Sequence, residues 1–225
     1  MVPIVTIDGP SGSGKGTIAH LLADHFGLHC LDSGALYRLL GLAAERARLT
    51  PSMVNELVEI ASTMKVVFKP GSVLLDDEDV TLAIRTERAG NAASRVAAVP
   101  EVRSALLQWQ RNYAREPGLV ADGRDMGTVV FPEAGVKIYL TASPEERAKR
   151  RYNQLKEKGL DANLRDLVAE IRERDDRDSN RSVAPLLPAP DALVLESTAL
   201  SISEVLEQVI GNVSRVYPQL VKPEA

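Results

Sequence analysis

The chain has 225 residues, 44% hydrophobic and 26% charged, enough apolar material for one sizeable core with an insertion and too much for a disordered polymer. A net charge of −4 and a pI near 5.5 exclude a broad electrostatic grip on DNA or RNA, so local arginine clusters must serve small anions or paired acids. The single cysteine, Cys30, closes no internal disulfide and has no ligand cluster beyond His29 for a metal, so it reads as core filler within Leu28 to Leu31.

Met1 leads almost directly into an apolar run, Ile4 to Ile7, and no apolar stretch approaches the ~18 residues of a membrane span, so a cytoplasmic protein is expected. Gly9, Pro10, Ser11, Gly12, Ser13, Gly14, Lys15, Gly16 and Thr17 follow at once and read as a loop between strand and helix. Glycines let the backbone bend round phosphates, inward N–H groups and the positive helix end hold them, and a lysine here reaches the β- and γ-phosphates of a nucleotide. Gly16 stands where the usual phosphate-loop pattern has Ser or Thr, and the hydroxyl comes one place later, at Thr17. That Gly-Lys-Gly-Thr form resembles the nucleoside monophosphate kinases. A glycine-rich turn with no ligand is the bland alternative, and the strand before and helix after speak against it.

Ile18, Leu21, Leu22 and Phe26 have helical spacing, and Gly27 is a suitable stop. Leu28 to Leu31 is a second short strand, after which Asp32 or Ser33 caps a helix from Ala35 to about Arg48. Tyr37 and Arg38 fall in its first turn, where positive charge opposes the helix dipole; a bound anion would cancel that cost, and a solvated arginine is the alternative. Thr50-Pro51 opens a helix through Met64, with the proline at the first helical position. Lys65 to Phe68 and Val73 to Leu75 read as a hairpin round Pro70-Gly71, and Asp76 to Asp79 as a solvated acidic turn. Ile84-Arg85-Thr86 leads into an alanine-rich helix to Ala98, and Pro100 starts another to about Arg115. Ser33 to Pro100 thus reads as an insertion of helices and a small antiparallel sheet.

Leu119 to Asp122 resumes the strand pattern and ends in Asp122-Gly123-Arg124-Asp125, at the kind of carboxyl end where ligands of parallel sheets gather. Val136 to Leu140 is the next strand, and Ser143-Pro144-Glu145-Glu146 is a capping box opening a basic helix. Its Arg147, Lys149, Arg150 and Arg151, running towards Gly159, are either a solvated face or a phosphate clamp. Asn163 to about Asp178 is helical, and Arg174, Asp178 and Arg181 share a face if the helix continues; surface ion pairs alone would also account for them. Pro185, Pro188 and Pro190 end helical structure, Ala192 to Leu195 is the last strand, Ser201 to Glu204 caps the closing helix, and the tail past Pro218 frays. Five apolar strands alternating with helices predict a parallel α/β core.

Four segments together resemble the bacterial cytidylate kinases: Ile7 to Thr17, Leu31 to Arg38, Ala121 to Pro132, and Glu173 to Asp178. The phosphate loop is generic to many kinases, whereas the second and third segments are specific to this family, in which the Gly16 departure is also found. The resemblance implies an α/β, three-layer P-loop kinase fold with a five-stranded parallel sheet: a core of residues 1–33 and 100–225, an NMP-binding insertion at 34–99 and a short lid at 147–159. It implies transfer of the γ-phosphoryl of ATP to CMP or dCMP with Mg²⁺, by a monomer working in pyrimidine nucleotide metabolism. ATP would be held by Gly9 to Thr17 and Arg150, with Lys15, Asp122 and Arg124 catalytic and Mg²⁺ organised by Thr17 and Asp122. The acceptor phosphate falls to Arg38, Arg85 and Arg124, cytosine to Ser33, Ser94, Arg103, Asp125 and Arg181 with Tyr37 beside them, and the ribose to Arg174 and Asp178. The rivals are another small-molecule P-loop kinase, a nucleotide-dependent switch, for which no Asn-Lys-x-Asp guanine motif is found, and a structural protein with a dead phosphate loop.

Overall fold

The apolar run that opens the chain is buried along almost its whole length: in β1, Ile4–Asp8, only Ile4 is part-exposed, as expected of a strand covered on both faces of a parallel sheet. The computed structural model describes residues 2–69, 71–157, 159 and 161–221, so Pro70 of the expected hairpin, Lys158 of the expected lid and the end of the tail from 222 lie outside the described residues. The chain divides into two compact units, Met1–Leu31 with Tyr113–Ala225, and Asp32–Asn112.

In the first unit β1 pairs in parallel with β6, Leu119–Gly123, on one side and with β7, Val136–Thr141, on the other. With β2, His29–Asp32, and β8, Leu193–Glu196, they make a five-stranded parallel sheet ordered β2-β6-β1-β7-β8. The register sets Ile7 against Asp122 and Asp8 against Gly123, so β1 and β6 deliver their last residues side by side. Ile18, Leu22 and Phe26 of α1, Lys15–Phe26, and Val205, Val209 and Val213 of α8, Ile202–Val216, bury against Val5, Ile7, Val120 and Ile138. Cys30 packs part-buried on the same core. Gly27 ends α1 with φ 69°, and Ser201 and Glu204 form both halves of a capping box on α8. At α6, Pro144–Glu157, only half of the expected box forms: Ser143 Oγ accepts from Glu146 N, while Ser143 N donates to Thr198 Oγ1. Helix α7 is Leu164–Ser179 and stops before Arg181.

The second unit comprises α2, Ser33–Arg46; α3, Val54–Thr63; β3, Val66–Lys69; β4, Ser72–Leu75; β5, Glu78–Asp79; a 3₁₀ turn, Ala83–Arg85; α4, Glu87–Val96; and α5, Pro100–Arg111. Helix α5 belongs to this unit rather than to the core, because Val102 and Leu106 are fully buried with Leu36, Leu40 and Leu57; the boundary therefore falls at Asn112, not at 99. Asp32 caps α2 through Ala35 N, so the helix starts at Ser33 and Arg38 sits in its second turn, where the dipole opposes it less. Pro51 does not open α3. Met53 N donates to Thr50 O, which makes Thr50 to Met53 a turn with the proline at its second place, and α3 begins after it. The acidic run Asp76 to Asp79 is more than a solvated turn: Asp76 and Asp77, at φ 50° and 69°, reverse the chain so that β5 adds a third antiparallel strand. Among the described residues no helix is long and apolar enough to cross a membrane.

Candidate active site

The loop that leaves β1 is shaped by three glycines with positive φ: 151° at Gly9, 79° at Gly12 and 94° at Gly14. A Cβ on Gly9 would lie 2.0 Å from the carbonyl oxygen of Leu140, so no other residue fits there. Gly14 heads α1 with no side-chain cap, which leaves the first-turn N–H groups open to an anion. Lys15 lies buried across the loop, its Nζ donating to Pro10 O at 3.3 Å and standing 3.9 Å from Asp122 Oδ1. Asp122, 5% exposed at the end of β6, also overhangs the start of α1, for a Cβ on Gly16 would sit 3.1 Å from its Oδ2. The glycine in place of Ser or Thr thus makes room for this carboxylate. Thr17 is exposed in the same helical turn.

Two arginines of α6 donate to carbonyls of the loop. Arg147, 2% exposed, donates to Ser11 O at 3.1 Å and Ala142 O at 2.9 Å, and forms a two-pronged ion pair with Asp175 of α7. Arg150 donates to Ser13 O at 3.2 Å and Ser197 O at 2.6 Å, and pairs with Glu146. Arg147 is therefore a buried brace of the loop rather than a cation on a lid, and the expected solvated face of this helix is not exposed at Arg147. Arg174 completes the brace, donating to Ser11 Oγ at 3.1 Å.

Beyond β6, Arg124 Nε donates to Asp178 Oδ2 at 2.9 Å. Burial works against the charge of Arg124, but Asp178 first, then Asp122 and Asp175, outweigh it and raise its pKa. Burial likewise opposes the charge of Asp178; Arg124, with Arg174 and Arg181, prevails and holds its carboxyl below the usual range. Arg181 Nε donates to the Asp178 carbonyl at 3.1 Å, so the Arg174, Asp178 and Arg181 trio assembles although α7 ends between its last two members. Asp125 is 2% exposed and heads a five-residue π-helix, Met126–Val130, which the sequence did not foretell.

In the second unit Ser33 Oγ donates to Gln110 Oε1 at 2.7 Å, and Gln110 Nε2 donates to Leu106 O at 3.3 Å, which fixes the amide's orientation. The Ser33 proton is thus committed to Gln110, and its hydroxyl oxygen can still accept a hydrogen bond. Gln110, 1% exposed, is a partner of Ser33 that sequence reading missed. Arg103 donates to Ala97 O at 3.2 Å with its guanidinium 5.6 Å from the centroid of the Tyr37 ring. Ser94 is buried on α4; Arg38 is half-buried and Arg85 exposed at the end of the 3₁₀ turn.

The phosphate loop, Lys15, Asp122, Arg124, Asp125, Arg174, Asp178 and Arg181 therefore gather at one end of the first unit, while Ser33, Tyr37, Arg38, Arg85, Ser94 and Arg103 are carried by the second. Such an arrangement can bind polyphosphate and neutralise charge on it, with no nucleophilic side chain required. The sequence profile described as Cytidylate kinase matches residues 5–215. The chain belongs to the cytidylate kinase family. It is 57% identical to a cytidylate kinase of Aeromonas hydrophila subsp. hydrophila over 95% of this chain and 98% of that one. It is 56% identical to a cytidylate kinase of Shewanella amazonensis, over 94% of each chain. Among solved structures, an uncharacterized protein from Eubacterium ventriosum shares the fold, with a TM-score of 0.52 at 10% identity over 94% of this chain and 98% of that one.

Proposed function

We propose that the protein transfers the γ-phosphoryl group of ATP to CMP or dCMP, giving ADP and CDP or dCDP. The observation that carries the reading is 57% identity over 95% of the chain to a protein named cytidylate kinase. The charges of the core support it. ATP phosphates lie on the N–H groups of Gly9 to Thr17, Pro10 excepted, and Lys15, already anchored at Pro10 O, balances charge on the moving group. Arg147 and Arg150 keep the loop in the shape this requires, and Arg150 serves ATP through Ser13 O rather than from a distance.

Mg²⁺ takes oxygen donors and keeps much of its water, so one hydroxyl and one carboxylate suit it, and Thr17 and Asp122 beside the first turn of α1 are such a pair. When bound, the ion neutralises the β- and γ-phosphates. The acceptor phosphate is held by Arg38, Arg85 and Arg124, and the ribose by Arg174 and Asp178. Cytosine offers a 4-amino donor beside the N3 acceptor. Asp125 and Ser33 Oγ accept from the amino group, and Arg103 or Arg181 donates to N3 or O2, with Ser94 and Tyr37 lining the base. The insertion, which extends to Asn112, moves as an NMP-binding part; because Arg147 and Arg150 are tied to the loop, the lid starts after them, at Arg151. Family resemblance also supports a monomer of the cytoplasm, in pyrimidine nucleotide metabolism.

Coupled ADP release with ATP and each of CMP, dCMP, UMP, AMP and GMP tests the reaction. Turnover should be fastest with CMP or dCMP; its absence with both would overturn the proposal.

A further inference from the structure

Asp8, the last residue of β1, has no part in the assignments above. It is 4% exposed, and its two carboxylate oxygens each accept one hydrogen bond at 2.8 Å, from Met126 N and from Gly127 N. Those amides open the π-helix Met126–Val130, an uncommon backbone form that follows directly on Asp125. The carbonyl of Asp125 in turn accepts from Val129 N at 2.9 Å and Val130 N at 3.1 Å. Asp125 is therefore gripped through its own carbonyl by the π-helix and, through the next two amides, by Asp8. Gly127 permits the close approach: a Cβ there would lie 2.8 Å from Thr6 Oγ1 on β1.

We propose that Asp8 is a positioning residue for base selection: by holding the N–H groups of Met126 and Gly127 it sets where Asp125 presents its carboxylate to the acceptor base. The inference rests on the proposed reading of cytosine by Asp125. Once ionised, the carboxylate serves both amides, which asparagine cannot do, having one acceptor oxygen and an NH₂ group that would face an N–H. The arrangement is held against electrostatics. Burial, with the neighbouring Asp125 and Asp122 carboxylates, pushes the Asp8 pKa up to about 7 despite the two N–H bonds. Asp8 also immediately precedes Gly9, so one residue ties the start of the phosphate loop to the segment bearing Asp125.

The test compares kcat/KM for CMP and for UMP at saturating ATP in wild type, Asp8→Asn, Asp8→Ser and Asp125→Ala, with a thermal melt of each. Asp8→Asn should lose about tenfold in kcat/KM for CMP, largely through KM, because misplacement by a fraction of an ångström is enough. UMP turnover should fall much less, so that the CMP to UMP ratio shrinks by about threefold or more. Equal losses for both pyrimidines in Asp8→Asn, with the ratio shrinking in Asp125→Ala, would confine Asp8 to a role in the fold and overturn the inference alone. An unchanged ratio in Asp125→Ala would remove the reading beneath it and overturn both. Should neither Asp8 variant fold, amide hydrogen exchange of the wild-type protein decides: protection at Met126 and Gly127 equal to that of β1 supports the inference, and exchange as fast as that of Gly12 overturns it.

Discussion

Gly16→Ala is the substitution in which stability and activity should part. Gly16 is the second residue of α1 and has no positive φ, so alanine gains helix propensity, by up to about 1 kcal/mol and less this close to the helix end. Its Cβ would stand 3.1 Å from Asp122 Oδ2, inside ordinary van der Waals contact, and the carboxylate must retreat by a few tenths of an ångström. Asp122 has little room in which to do so, being 5% exposed, with its other oxygen 3.9 Å from Lys15 Nζ. A misplacement near 1 Å costs on the order of a hundredfold, so this smaller one should lower kcat about fivefold to tenfold. If Asp122 organises Mg²⁺, the Mg²⁺ concentration for half-maximal rate should rise in parallel. The assay is coupled ADP release over a Mg²⁺ series, beside urea unfolding to show that stability stays within about 1 kcal/mol of wild type. Wild-type kcat with an unshifted Mg²⁺ dependence would refute the reasoning that ties Gly16 to Asp122.

Three further outcomes follow from the same geometry. Lys15→Met should remain folded and lose a few hundredfold in kcat, about 3 to 4 kcal/mol of transition-state stabilisation, and turnover within threefold of wild type would remove Lys15 from the chemistry. Arg124→Met takes from Asp178 its guanidinium at 2.9 Å and should cost about 3 kcal/mol in urea unfolding, much of it recovered in the double variant with Asp178→Leu; a loss below about 0.5 kcal/mol would show that the pair contributes little. The Asp8 carboxyl, raised from 3.8 to about 7, binds its proton more tightly in the folded than in the unfolded chain. Its contribution to stability is therefore complete below about pH 4 and is lost as pH rises through 7, so between pH 5 and 8 the wild type should lose about 2 to 3 kcal/mol relative to Asp8→Asn. Parallel stability curves for the two proteins would contradict that.

The parallel sheet could be read from the sequence because strands covered on both faces are continuous apolar runs, as in Ile4 to Ile7 and Leu119 to Ala121, and the phosphate loop because its glycines are local necessities. What escaped depends on partners far along the chain. The π-helix at Met126–Val130 has no periodicity of its own and is fixed by Asp8, 118 residues earlier. Arg147 looks like one of five similar cations on α6 until the carbonyls of Ser11 and Ala142 and the carboxylate of Asp175 enclose it. Gln110 is one polar residue among many on α5, given a role only by Ser33, 77 positions away. The third strand of the small sheet was legible in principle: Asp76-Asp77 is a pair that tolerates positive φ, and the charge of the run concealed the short strand behind the turn. The pairing of Arg124 with Asp178 was not foreseen: the resemblance gives the two residues separate tasks, acceptor phosphate and ribose, and spacing cannot reveal a contact across 54 residues.

Side-by-side kcat/KM values for CMP and UMP, with ATP as donor, test base-selective phosphoryl transfer most directly. Uracil places its O4 lone pairs where cytosine has its amino group, and two acceptors would then oppose each other at Asp125. At about 1 to 3 kcal/mol for such a pair, CMP should exceed UMP by at least about tenfold. Equal values, or a preference for UMP, would contradict the assignment of this chain as a kinase of cytidine monophosphates.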